Sequence, residues 1–172
     1  MTTTYKNIFQ TIKVVKYSLI TLYIALTIPI PFFAIKELKF ISIFLFILGL
    51  FLTINITNDS VITDSKSISF KTKFPSNILG KKSWEINWED IISINSYPTS
   101  QGSKVHYFIT NKEKSFLIPQ RIEHFDKFIS IIANQTNLNL KNVSYLAPLW
   151  TYKLLTFLSI TMIIGEILSF LI

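Results

Sequence analysis

A chain of 172 residues has room for one or two small folding units, not several. Hydrophobic residues make up 49% and charged residues 16%. Soluble domains carry about 25% charge, so this composition argues against a purely soluble globule, and the apolar content excludes intrinsic disorder. The absence of cysteine excludes a disulfide scaffold, a thiol nucleophile and a thiolate metal site.

The first 16 residues form a basic arm with Lys6, Lys13 and Lys16. An uncharged run from Tyr17 to Ile35 follows, then the polar link Lys36-Glu37-Leu38-Lys39, then a second uncharged run from Phe40 to Ile56. A third apolar run spans Leu154 to Ile172 and is interrupted only by Glu166. About 17–25 apolar residues suffice for a helix to cross a bilayer, and all three runs fall in or near that range. The first is too long for a signal-peptide core, and Ile35-Lys36-Glu37 offers no small-residue cleavage site. Residues 17–56 are therefore expected to form a two-helix transmembrane hairpin, and residues 154–172 a third transmembrane helix. Pro29 and Pro31 are expected to kink or end helix one, because proline lacks an amide donor and clashes with the preceding turn. Lysines flank the arm side of helix one, the far end of helix two (Lys66, Lys71, Lys73) and the start of helix three (Lys153). The positive-inside rule then predicts a cytoplasmic N-terminus and middle segment, with the C-terminus on the opposite side.

Between the helices the periodicity changes. Ser60–Thr63 reads as a short strand, and Ile68, Phe70, Thr72 and Phe74 alternate with polar residues. Residues 75–83 form a loop. Trp84, Ile86 and Trp88 share a face of the next strand, as core rather than as a ligand stack. Further strands are expected at Ile91–Tyr97, Lys104–Thr110 and Ser115–Ile118, the last stopped by Pro119. Phe125, Phe128, Ile129 and Ile132 then fall at helical spacing, predicting an amphipathic helix over Glu123–Asn134. This places a β domain at 57–137 and a connector at 138–153. The fold class is an α+β membrane protein: a transmembrane hairpin, an antiparallel barrel or curled sheet capped by one helix, and a C-terminal transmembrane helix.

The motif Trp88-Glu89-Asp90-Ile91 with Ile94, followed by Leu117-Ile118-Pro119 leading into Phe125-Asp126-Lys127-Phe128, resembles bacterial membrane proteins with a pleckstrin-homology-like (PH-like) domain behind a membrane hairpin. The layout is also similar to the photosystem I assembly factors of plastids and cyanobacteria, from which this chain departs by its third membrane helix. The resemblance implies a bacterial inner or thylakoid membrane and a scaffold or assembly role, and it transfers no functional residue.

No phosphate loop, nucleophile elbow or dinucleotide fingerprint occurs, and no histidine stands in metal-ligand spacing. His106 and His124 read as partly exposed surface residues, and Glu89-Asp90 as the cap of a bend. No enzymatic activity, cofactor or metal is expected. The basic residues are too scattered for a nucleic-acid footprint. Two features remain. Lys71, Lys73, Lys81 and Lys82 surround one loop and are candidates for contact with anionic lipid headgroups, with Asn77-Ile78-Leu79 dipping into the interface beside them. Glu166 is a carboxylate inside an apolar helix, a costly placement, and is a candidate for an intramembrane partner contact with Gly165 allowing close approach. The expected function is a non-enzymatic membrane scaffold or assembly subunit that docks a membrane complex. The alternatives are an anionic-lipid sensor and an accessory subunit of a transporter.

Overall fold

The computed structural model describes residues 6–77, 80–100, 102–140, 142–146 and 148–171. The chain divides into two units, Met1–Ile12 with Asp59–Ala147, and Lys13–Asn58 with Pro148–Ile172.

The strands of the first unit form two antiparallel sheets. The four-stranded sheet has the order β1 (Asn7–Gln10), β2 (Ser60–Thr63), β3 (Ser67–Lys71) and β4 (Trp84–Asn87). The three-stranded sheet has the order β5 (Ile91–Pro98), β6 (Lys104–Thr110) and β7 (Ser115–Leu117). The sheets do not close into one barrel, which corrects that part of the sequence expectation. A 3-10 turn at Trp88–Asp90 separates β4 from β5. It takes the chain off one ladder and starts another. The β2–β3 turn is built by Asp64, whose Oδ1 accepts from the amides of Lys66 at 2.8 Å and Ser67 at 2.7 Å. The carbonyl of the same residue accepts the indole N–H of Trp88 at 2.9 Å.

Strand β1 was not visible in the sequence. Its residues, read as part of a polar arm, pair antiparallel with β2 from Asn7↔Thr63 to Gln10↔Ser60. Phe9 is buried and meets the ring of Phe128 edge-on at 5.3 Å. The other side of the strand end is held by Arg121–Glu123. Ile12 donates to the Arg121 carbonyl and Glu123 to the Gln10 carbonyl. The unit thus takes its first strand from before the apolar hairpin.

Helix α4 (Phe125–Thr136) turns Phe125, Phe128 and Ile132 inward, as its spacing predicts. They join Phe9, Val61, Ile68, Ile86, Trp88, Phe108 and Ile118 in one core. Trp84 packs on Phe70, Phe108 and Phe116. Leu138, Leu140, Val143 and Tyr145 also pack against this core, so much of the expected connector belongs to the folded unit.

The second unit holds the apolar helices. Helix α1 (Lys13–Thr27) ends just before Pro29, and a short helix α2 (Pro29–Phe33) continues to the turn. Helix α3 (Lys39–Ile56) returns, and α5 (Leu149–Leu171) follows the polar unit in sequence. The segments Lys13–Phe33, Lys36–Ile56 and Leu149–Leu171 are each long and apolar enough to cross a membrane. Helix α1 packs against α5 through small and hydroxylated residues. The fully buried Ser18 Oγ lies 2.7 Å from both the Tyr152 carbonyl and Thr156 Oγ1, and Ala25 of α1 and Ser159 of α5 are buried too. Such residues let helix backbones approach where lipid removes the hydrophobic drive. Against α3, Tyr23 stacks on Phe46 and donates its hydroxyl to the Phe46 carbonyl at 2.8 Å. Gly49 makes this crossing possible, since a Cβ there would collide with the Tyr23 hydroxyl. No residue of α3 is buried.

Candidate functional site

The four candidate lysines are brought together in part. Lys71 closes β3 and pairs in register with Ser60, the fourth residue after the end of α3. Lys73, Lys81 and Lys82 lie in the β3–β4 loop, and all four lysines are exposed. Lys81 is committed elsewhere. Its Nζ lies 2.6 Å from Asp59 Oδ2, which ties the loop to the start of β2 and cancels one charge of the patch. The patch is therefore weaker than four lysines suggest. The exposed Phe74 sits among them. Ile78 and Leu79, expected beside these lysines, lie outside the described residues.

The second candidate pair is split by the geometry of α5. Ser159, Ile163, Glu166 and Phe170 recur at spacings of four, three and four, so they share a face. Phe170 stacks on Phe32 at 4.4 Å, which turns this face toward α2. Glu166 Oε2 is buried and meets no hydrogen-bond partner among the described residues. Gly165 points away, with open space where a Cβ would stand. One side chain is turned inward and the other position is free, so the two do not form a single contact point.

His106 is a correction. It was expected near the surface, yet it is fully buried on the inner side of β6 with Phe108 and Thr110. Its Nδ1 shares a hydrogen bond of 2.7 Å with Ser96 Oγ, and Nε2 has no described partner. Burial lowers its pKa below 6.5, and the positive charge of Lys104 adds to this. The alternation in Lys104–Thr110 already carried the signal, because His106 falls in phase with Phe108. His124 is exposed and adopts a left-handed conformation (φ 53°) at the start of α4. Asp90 Oδ1 accepts from Asn111 Nδ2 at 2.9 Å and its carbonyl accepts the Asn111 amide, which ties the turn at Trp88–Asp90 to the β6–β7 turn. Among the described residues no group of histidines and carboxylates is placed to hold a metal.

The sheet edges were not singled out residue by residue in the sequence. Strand β4 is four residues long and β7 three, and the outer side of β1 is partly covered by residues 121–123. Strand β5 is different. It runs for eight residues and pairs only with β6 among the described strands. A bulge between Ile91 and Ser93 marks one end, and Pro98, which has no amide to donate, marks the other. Both devices restrict strand pairing, leaving Ser93–Tyr97 as the usable edge. Ile92 and Tyr97 beside it are 58% and 51% exposed.

The sheets and helices define an α+β protein with three helices able to cross a membrane. The chain is 26% identical over 160 residues to the uncharacterised protein slr0269 of Synechocystis, covering 87% of this chain and 78% of that protein. No family model and no solved structure matches.

Proposed function

We propose that this protein is a non-enzymatic membrane scaffold that docks a membrane-protein partner along the open edge of β5. The reading treats the polar unit as a PH-like domain whose first strand precedes the hairpin. Four strands, then three, then a helix over the core support that assignment. The lysine distribution supports a cytoplasmic domain and N-terminus. The single observation that carries the functional reading is the free edge Ser93–Tyr97, bordered by exposed Ile92 and Tyr97. An extended peptide gains main-chain hydrogen bonds there and seats alternate side chains on those two. The helices keep the domain at the membrane, so a partner in the same bilayer meets it at high effective concentration.

The test is co-purification of the full-length protein in mild detergent. Wild type is expected to retain one partner in fixed ratio, and Ile92→Asp with Tyr97→Asp is expected to release it while the protein stays monodisperse. Equal retention by both removes the edge from the account. A second reading, an anionic-lipid sensor, draws on the exposed Lys71, Lys73 and Lys82 at the sheet end nearest the hairpin in sequence. It predicts instead that neutralising these three abolishes binding to anionic vesicles and leaves co-purification unchanged.

A further inference from the structure

The break in the first apolar helix opens a groove in the second unit. It is lined by Ile28, Pro31 and Phe32 on one side and by Lys39, Ile43 and Phe46 on the other, and its volume is about 280 Å³. Both walls follow from helix geometry. Residues 28, 31 and 32 fall on one face, as do 39, 43 and 46. Phe46, which lines the groove, is held by its ring contact with Tyr23. The outer side is open, with Phe32 and Ile43 exposed.

The groove is polar at one end only. Lys39 stands at its rim, and Phe46 lies two turns deeper, about 10 Å along the axis at 1.5 Å per residue. Lys39 begins α3 directly after a 3-10 turn at Lys36–Leu38. Lys36 and Glu37 precede it, leaving the turn with a net positive charge. An open apolar groove of about 280 Å³ with one lysine among its lining residues has room for a segment of acyl chain under a headgroup.

We infer that this groove is a specific site for one anionic phospholipid, its phosphate at Lys39 and one acyl chain between Pro31, Phe32 and Ile43. Charge complementarity selects the occupant. An apolar slot closed by a single cation at the interface discriminates an anionic lipid from a zwitterionic one, whereas a helix of a second copy gains nothing from the lysine. The site is separate from the lysines of the β3–β4 loop and does not depend on the edge of β5.

The experiment is native mass spectrometry of the full-length protein released from mixed micelles containing phosphatidylglycerol and phosphatidylcholine of matched chains. Wild type is expected to retain one phosphatidylglycerol in preference to phosphatidylcholine. Lys39→Gln removes the cation proposed to meet the phosphate and is expected to cut the preference severalfold. Lys36→Gln, outside the groove lining, is expected to lower it less than Lys39→Gln does. Ile43→Trp fills the groove and is expected to remove the bound lipid whatever its headgroup. Equal retention of both lipids by wild type, an unchanged preference in Lys39→Gln, or a lipid-free dimer overturns the proposal.

Discussion

At the residue scale, His106 is the most informative side chain. A buried polar atom without a partner costs about 1–3 kcal/mol, and protonating this imidazole would add a charge to that site. The folded protein therefore holds His106 neutral, with its pKa lowered by burial and by Lys104. The sign of the linkage follows. Below pH 6.5 the unfolded chain binds the proton and the folded chain does not, so stability is lost as pH falls through that value. Asp64 has the opposite chemistry and a separate window. Its carboxylate is held below 3.8 mainly by the Lys66 amide, so its contribution is present at neutral pH and lost only as the pH falls below 3.8. Thermal unfolding followed by tryptophan fluorescence is expected to show a falling midpoint from pH 7 to 5. In His106→Gln, which keeps a partner for Ser96 but does not titrate, the slope over that range is expected to disappear. The fluorescence reports on the right unit, since Trp84 and Trp88 pack in its interior.

At the element scale, β1 decides what the folded unit is. Phe9 contributes a fully packed ring against Phe128. Losing a buried phenylalanine costs about 3–5 kcal/mol, a large share of the 5–15 kcal/mol that stabilises a domain. A fragment of residues 59–146 is accordingly expected to give broad, collapsed amide spectra by NMR. The same fragment preceded by residues 6–12 through a short Gly-Ser linker is expected to give dispersed ones. The register allows the join, because Gln10 and Ser60 are direct partners. Dispersed spectra from 59–146 alone would show that β1 is dispensable. The sequence could not reveal this strand. Four residues with only Ile8 and Phe9 apolar carry almost no period-2 signal, and their partner lies about fifty residues later. The later strands were legible because each alternates over several positions beside a neighbour in sequence. Lys104–Thr110 and Ser60–Thr63 coincide with their expected limits. The three apolar helices were legible from composition, and the proline break of the first from Pro29 and Pro31.

At the scale of the whole molecule, the candidate sites were less legible than the fold because they depend on pairing. The lysines are visible in sequence, but the Lys81–Asp59 bridge joins residues 22 positions apart. Glu166 is visible too, but its inward direction depends on the Phe170–Phe32 stack. An open edge is a property of sheet order, which no single strand declares. The proposed function rests on the same order: a domain that its own helices would hold at a membrane, with one strand edge left for a neighbour. The most direct measurement places a photo-crosslinking amino acid at Ile92 or Tyr97, and at Lys112 in the β6–β7 turn as a control, in the full-length protein in its native membrane. One discrete adduct is expected from both β5 positions and none from Lys112. Adducts of equal yield from all three positions, or none from β5, would contradict docking at this edge.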